Sequence, residues 1–163
     1  FSLSRGLGDV YKRQEIAIST ARVVRLFGFE PKVAFVSHST FGQPLTSRTK
    51  HIRKAVDILK EKKVDFKFDG DMQPDVALNL DYKELYPFSQ IVGNANILIM
   101  PGQHSAAISY KMMKTLSNAK VIGPLLIGLG LPIEIAPLRS STSEIINLAS
   151  IAAYSADIID YNK

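Results

Sequence analysis

Two polar segments follow short apolar runs, and both carry side chains that could handle an anion. The first, Ser37-His38-Ser39-Thr40-Phe41-Gly42-Gln43, comes directly after Lys32 to Val36, KVAFV. Short hydroxyl side chains and a glycine after a buried strand can turn side-chain and backbone donors toward a phosphate or carboxylate. The same residues also make an ordinary strand-to-helix loop with a helix cap, and on this feature alone the plain loop is favoured. The second segment, Pro101-Gly102-Gln103-His104-Ser105, follows ANILIM. His104 is a candidate ligand contact, although a lone histidine at a helix start more often serves as a surface or capping group. His38, His51 and His104 show neither HExxH nor another paired spacing, so no metal site is expected. No GxSxG elbow marks a serine nucleophile, and a Ser-His-Asp triad gathered from distant positions stays open.

These segments need strands beneath them, and the apolar pattern supplies some. Apolar residues across 15–27 predict a helix that Gly28 stops and Pro31 keeps from resuming. KVAFV predicts a buried strand. Residues 50–62 form an amphipathic helix with Ile52, Ala55, Val56 and Leu59 on one face and Ile58 at its edge. Residues 66–68 suggest a short strand closing in an Asp-Gly turn, and 75–80 a helical turn. ANILIM is the clearest buried strand, stopped by Pro101. A helix over 105–116, a strand over 132–136 and a helix over 141–156 follow, the last with Ser/Thr caps ahead of Glu144. Alternation of this kind implies an α/β domain: a layered, mostly parallel sheet with helices on both faces. In such sheets ligands sit at the carboxyl ends of the strands, where both polar segments fall.

The composition narrows the function classes. The 163 residues suit one domain or two small lobes, and 46% hydrophobic against 21% charged residues is ordinary for a globular chain. Cysteine is absent, which rules out disulfides, thiolate metal sites and a cysteine nucleophile and fits a cytoplasmic protein. The longest apolar run, VIGPLLIGLGLPIEIAPL, is broken by glycines, prolines and Glu134, so no membrane span is expected. The net charge of +5 is dispersed. The densest basic cluster, Lys50 to Lys63, includes Asp57 and Glu61 and reads as a solvated helix face, so no nucleic-acid partner is expected.

Residues 1–14, FSLSRGLGDVYKRQ, read as a leader foreign to the rest. There is no apolar core of a signal peptide, and GLG lacks a preceding strand and the GxGxxG spacing. SRGLGDVYKRQ, Ser4 to Gln14, resembles the translation of a common transposase sequencing adapter, which places the native reading from about Glu15. Such a leader should be disordered or only spuriously helical. Arg5, Lys12 and Arg13 against Asp9 account for +2 of the +5, so the remainder is nearer neutral.

From Glu15 onward, several blocks in one order resemble the phosphotransacetylase-like domain of large bacterial malic enzymes. GFEPKVAFVSHSTFG resembles the "FG-x-EP-x-VA-x-LS-x-S-x-FG" stretch of that family, and DGDMQPDVALN resembles "DGEMQADTALNP". YPFSQIVGNANILIMP is similar to "FPFS-x-L-x-G-x-ANVLVFP". AISYKMMKTLSNAKVIGPLLIGLGLPIEI is similar to "NIAYKLL…AE-x-IGP-x-L-x-G-x-x-x-PV", and SSTSEIINLASIAA to "SSVREIVNMVAIA". The resemblance implies an isocitrate/isopropylmalate dehydrogenase-like fold. One lobe would cover 15–124, and a segment 125–163 would return as a C-terminal helix to a second lobe that is mostly missing here. It also implies dimers or larger homo-oligomers, and a cleft where acyl phosphate and coenzyme A meet. The cleft contacts it assigns are Ser37, Ser39, Thr40, Gly42 and Gln43, with Pro101, Gly102, Gly123 and Pro124 shaping the wall.

The departures from the family pattern bear on activity. Active transferases carry "DLSRG" followed by an aspartate. The serine and arginine of that motif fall on Pro137 and Leu138, the aspartate falls on Glu144, and a family asparagine falls on Ala107. Acyl transfer between phosphate and a thiol needs a cation on the phosphoryl oxygens and a base near the thiol. Leucine offers no charge and proline no hydroxyl; the adjacent Arg139 would substitute only if the loop shifted by one residue. The expected role is therefore that of a regulatory, acetyl-CoA-sensing and oligomerising domain of a malic enzyme. NADP, the divalent metal and malate oxidation would belong to another part of that enzyme. The alternatives are an active phosphate acetyl- or butyryltransferase and a purely structural dimerisation domain.

Overall fold

The computed structural model describes residues 7–129 and 131–161, with side chains over 10–129 and 131–156. The chain divides into two compact units, Phe1–Ser109 and Tyr110–Lys163. The sequence-based lobe 15–124 therefore takes in the start of the second unit.

In the first unit, α1 (Leu7–Leu26) leads into β1 (Lys32–Val36), followed by α2 (Ser47–Glu61) and β2 (Lys67–Met72). A short α3 (Pro74–Leu78), a 3-10 turn (Leu80–Lys83), β3 (Ile97–Ile99) and the start of α4 (Gln103–Leu116) complete it. The three strands are parallel in the order β2-β1-β3, with Val33 opposite both Phe68 and Ile97. Parallel pairing turns the ends of all three strands to one edge of the sheet. Both faces are covered. Val33, Phe35, Ile97 and Ile99 pack with Ala17 and Ala21 of α1 and Ile52, Ala55, Val56 and Leu59 of α2. Ala34 and Met72 pack on the other face with Val76 and Ala77 of α3 and with Ile91 and Val92.

The expected fold class stands, and local chemistry explains where the elements lie. Gly28, at φ 81, ends α1; its N–H donates to the Arg25 carbonyl and that of Phe29 to the Val24 carbonyl, a Schellman arrangement. Thr46 and Thr49 exchange side-chain and backbone hydrogen bonds at the start of α2, forming a capping box. Ile52, Ala55, Val56 and Leu59 are the buried stripe expected for α2.

Several sequence expectations are corrected. The first helix begins at Leu7 rather than Glu15, and Val10 and Gln14 are fully buried. Asp69-Gly70 is not a turn: both residues lie inside β2, and Gly70 faces Phe35. A Cβ on Gly70 would stand 2.7 Å from Phe35 Cβ and from its carbonyl oxygen. The glycine thus marks a close approach of two strands, which sequence alone renders as a turn signal. Residues 132–136 form no strand; Ile133 and Ile135 are exposed, with no neighbouring strand to pair with among the described residues.

The second unit holds the end of α4, an irregular stretch, and α5 (Thr142–Tyr161). α5 starts with the capping box anticipated around Glu144. The Glu144 N–H donates to Ser141 Oγ, and the Ser141 N–H and Oγ both donate to Glu144 Oε2. On α5, Leu148 is buried while Ile145 and Ile146 are exposed.

Candidate functional site

The structure gathers the first polar segment at the carboxyl edge of the sheet and turns most of its hydroxyls inward. Ser37, Ser39 and Thr40 are buried, whereas His38 and Gln43 face outward. Their partners come from the end of β2. The Ser37 N–H donates to the Met72 carbonyl at 2.9 Å and that of Phe41 to the Asp71 carbonyl at 2.7 Å. Ser39 Oγ donates to Asp71 Oδ2, and the Ser39 N–H approaches Ser37 Oγ at 3.4 Å. The Gln73 N–H donates to Thr40 Oγ1 at 3.2 Å, and Gln73 Nε2 to the His38 carbonyl at 2.9 Å. The segment is therefore a rigid loop laced to Asp71–Gln73.

Its tip is a tight turn. Thr40 and Gln43 exchange backbone hydrogen bonds at 3.2 and 3.0 Å. Phe41 at φ 49 and Gly42 at φ 86 are both left-handed, as a two-residue type I′ turn requires. Gly42 meets that demand at low steric cost, whereas Phe41 carries a penalty of about 1–2 kcal/mol. Packing of the Phe41 ring against Tyr86 and Phe88, with centroids 5.3 and 4.8 Å apart, offsets it. Arg53 Nη1 donates to the Phe41 carbonyl at 3.1 Å and closes the outer side of the turn.

Pro101 and Gly102 lie at the same edge, just past β3, and both are exposed. The Gly102 carbonyl accepts from the Ala106 N–H and Ser105 Oγ, so Gly102 opens α4. Arg13 Nη2 donates to the Pro101 carbonyl at 2.9 Å. Gly123 and Pro124 belong to the second unit, where Tyr110 Oη donates to the Gly123 carbonyl at 2.8 Å. There Ile122, Gly123, Pro137, Ser140, Glu144 and Leu148 line a depression of about 10 Å³. The structure thus brings together Gly123 with Pro137 and Glu144, two of the positions on which the resemblance would place the family's catalytic groups. It leaves the third, Leu138, fully exposed.

Glu144 is held by its structural partners. Lys114 Nζ reaches Glu144 Oε1 at 2.6 Å. That hydrogen bond, together with those from Ser141, lowers the carboxyl from 4.5 to about 2, and the same pair raises Lys114 above its ordinary value. Glu144 is therefore a charged helix cap at neutral pH and a poor proton acceptor. Among the described residues no three His, Asp or Glu side chains cluster as metal ligands would.

Sequence reasoning did not single out Asp71 and Gln73, although they organise the loop. The signal in the sequence is a carboxylate beside a glycine at the end of a strand, which the Asp-Gly turn pattern masks. Asp71 Oδ1 is buried without a hydrogen-bond partner among the described residues, so all its side-chain bonding goes to Ser39.

The described residues of the first unit thus form a three-stranded parallel α/β unit with a polar loop at the strand ends, and solved phosphotransacetylases share its fold. A phosphotransacetylase from Streptococcus pyogenes superposes with a TM-score of 0.84 and 32% identity, over 90% of this chain and 45% of that one. The family described as phosphate acetyl/butaryl transferase matches residues 9–153, and the chain belongs to that family. An NADP-dependent malic enzyme from Rhizobium meliloti is 46% identical over 142 residues, covering 87% of this chain and 19% of the relative. A phosphate acetyltransferase from Bacillus subtilis is 36% identical over 143 residues, covering 87% of this chain and 44% of the relative. The chain thus spans about a fifth of the malic enzyme and under half of the transferase. No helix among the described residues is long and apolar enough to cross a membrane.

Proposed function

We propose that this chain is an acyl-CoA-binding and oligomerising domain of a cytoplasmic malic enzyme. Malate oxidation, with its NADP and divalent metal, would be carried by another part of that enzyme. The observation that supports this most is Leu138. It stands where the transferases have their arginine, and its side chain is a fully exposed hydrocarbon with no charge for phosphoryl oxygens. Glu144, at the family's aspartate position, is occupied as a cap and ion-pair partner. The loop Ser37–Gln43 is held in form by its own bonds to Asp71 and Gln73, which suits ligand recognition without turnover. The identity with the Rhizobium meliloti malic enzyme supports the same reading.

An active phosphate acetyl- or butyryltransferase is the second reading. It is supported by the identity with the Bacillus subtilis phosphate acetyltransferase and by Arg139, which directly follows Leu138. Calorimetric titration with acetyl-CoA, run beside an assay of CoA-dependent acetyl phosphate consumption, separates the two. The first reading expects saturable binding and no turnover. Turnover that disappears in Arg139→Ala establishes the second, and absence of acetyl-CoA binding leaves a structural role alone. Light scattering of the same sample tests the oligomer.

A further inference from the structure

We infer that the groove between α2 and the open edge of β2 is a binding site for a nucleoside 5′-diphosphate whose ribose hydroxyls are free. β2 is an outer strand of the sheet. Along it, α2 presents residues 53, 56, 57 and 60, which share one helical face, and the groove so formed has a volume of about 650 Å³. That lies within the range of roughly 300–1,000 Å³ usual for small-molecule sites.

The chemistry changes along the groove. At one end stand Lys60, from the last turn of α2, and Lys67, the first residue of β2, beside the edge-to-face ring pair of Phe66 and Phe68. Lys60 pairs with Asp57 at 3.5 Å between exposed side chains, an attachment weak enough for a phosphate to displace. Lys67 has no side-chain hydrogen bond or ion pair among the described residues. At the other end Phe41 and Phe88 form an edge-to-face aromatic wall. Arg53 marks that end because it donates to the Phe41 carbonyl. Residues 53 and 60 are seven positions apart, a rise of about 10 Å. Asp57 and Asp69 stand between the ends.

This order selects a ligand. Two ammonium groups suit a diphosphate, and an aromatic wall suits a flat base. Carboxylates in the middle accept hydrogen bonds from ribose hydroxyls and repel any negative charge placed there. A nucleic-acid strand or a polyphosphate would set charge along the whole groove and meet that repulsion. So would the ribose 3′-phosphate of coenzyme A, which separates this site from the acyl-CoA reading of the Ser37–Gln43 loop. Either reading stands if the other fails.

The test is calorimetric titration of the whole 163-residue chain with ADP at low ionic strength, repeated on the double variant Lys60→Glu/Lys67→Glu. Circular dichroism verifies the fold of the variant. ADP should bind saturably, and the double variant, or pyrophosphate in place of ADP, should lose at least about tenfold in affinity. CoA at equal concentration should leave bound ADP in place. Three results overturn the assignment: no saturable heat with ADP, equal affinity in the charge-reversed variant, or displacement of ADP by equimolar CoA.

Discussion

Gln14→Leu should stabilise the chain, against the usual direction of substitutions at buried positions. Gln14 lies in α1 with no exposed surface. It shares a helical face with Val10, Ala17 and Ala21, all members of the core against the sheet. Both ends of its amide, Nε2 and Oε1, are buried and without a hydrogen-bond partner among the described residues. Each such group carries a desolvation cost of about 1–3 kcal/mol. Leucine has a similar volume and removes both groups without opening a cavity. The expected gain is therefore about 2–6 kcal/mol, which for a chain of this length raises Tm by roughly 4–24 °C. Thermal unfolding followed by circular dichroism reads it directly. Ile16→Gln serves as the control, because Ile16 is 52% exposed on the same helix, and it should shift stability by no more than about 0.5 kcal/mol. An unchanged or lower Tm for Gln14→Leu would show that the amide is satisfied and would refute this reasoning.

Further outcomes follow from contacts already described. Gly70→Ala should destabilise by about 3 kcal/mol or more, because the new Cβ meets Phe35 backbone and Cβ atoms at 2.7 Å; a near-normal urea midpoint would contradict this. Ser39→Ala should cost about 2 kcal/mol, since it strips the buried Asp71 carboxylate of its side-chain donor. Acetyl-CoA affinity should fall with it if the loop is the ligand site, and chemical denaturation with parallel titration checks both. The Glu144 carboxyl is lowered by its bond from Lys114 and those from Ser141, so its contribution is present above pH 4.5 and is lost as pH falls toward about 2. Helical signal from the wild-type chain should decline across that window more than from Glu144→Gln, and added salt should shrink the difference. Identical acid profiles would show that the pair contributes nothing.

The fold class was legible because α2 and the central strand obey short-range rules. Ile52, Ala55, Val56 and Leu59 recur with helical period, and KVAFV can only be buried on both sides. Gly28 and the Ser141-to-Glu144 box announced their helix ends for the same local reason. What stayed hidden depends on residues far apart in sequence. Asp69-Gly70 reads as a turn until β1 lies alongside, when Gly70 becomes the only residue type that clears Phe35. The hydroxyls of Ser37, Ser39 and Thr40 read as ligand groups until Ser39 donates to Asp71 and Thr40 accepts from the Gln73 N–H. Residues 132–136 have a strand-like pattern, but pairing requires a neighbour that the described residues do not supply. The groove above β2 escaped notice because Lys60 and Lys67 look like solvated surface when counted along the chain. Only the sheet edge brings them to one end of a common groove.

Recognition of acyl-CoA without acyl transfer, the role proposed for this family member, has a direct test. Stopped-time measurement of thioester formation from acetyl phosphate and CoA, on a sample already shown by calorimetry to bind acetyl-CoA, tests it most directly. Saturable acetyl-CoA binding is expected, with thioester formation no faster than the protein-free reaction. Thioester formation well above that background, abolished by Arg139→Ala with the fold intact, would contradict it.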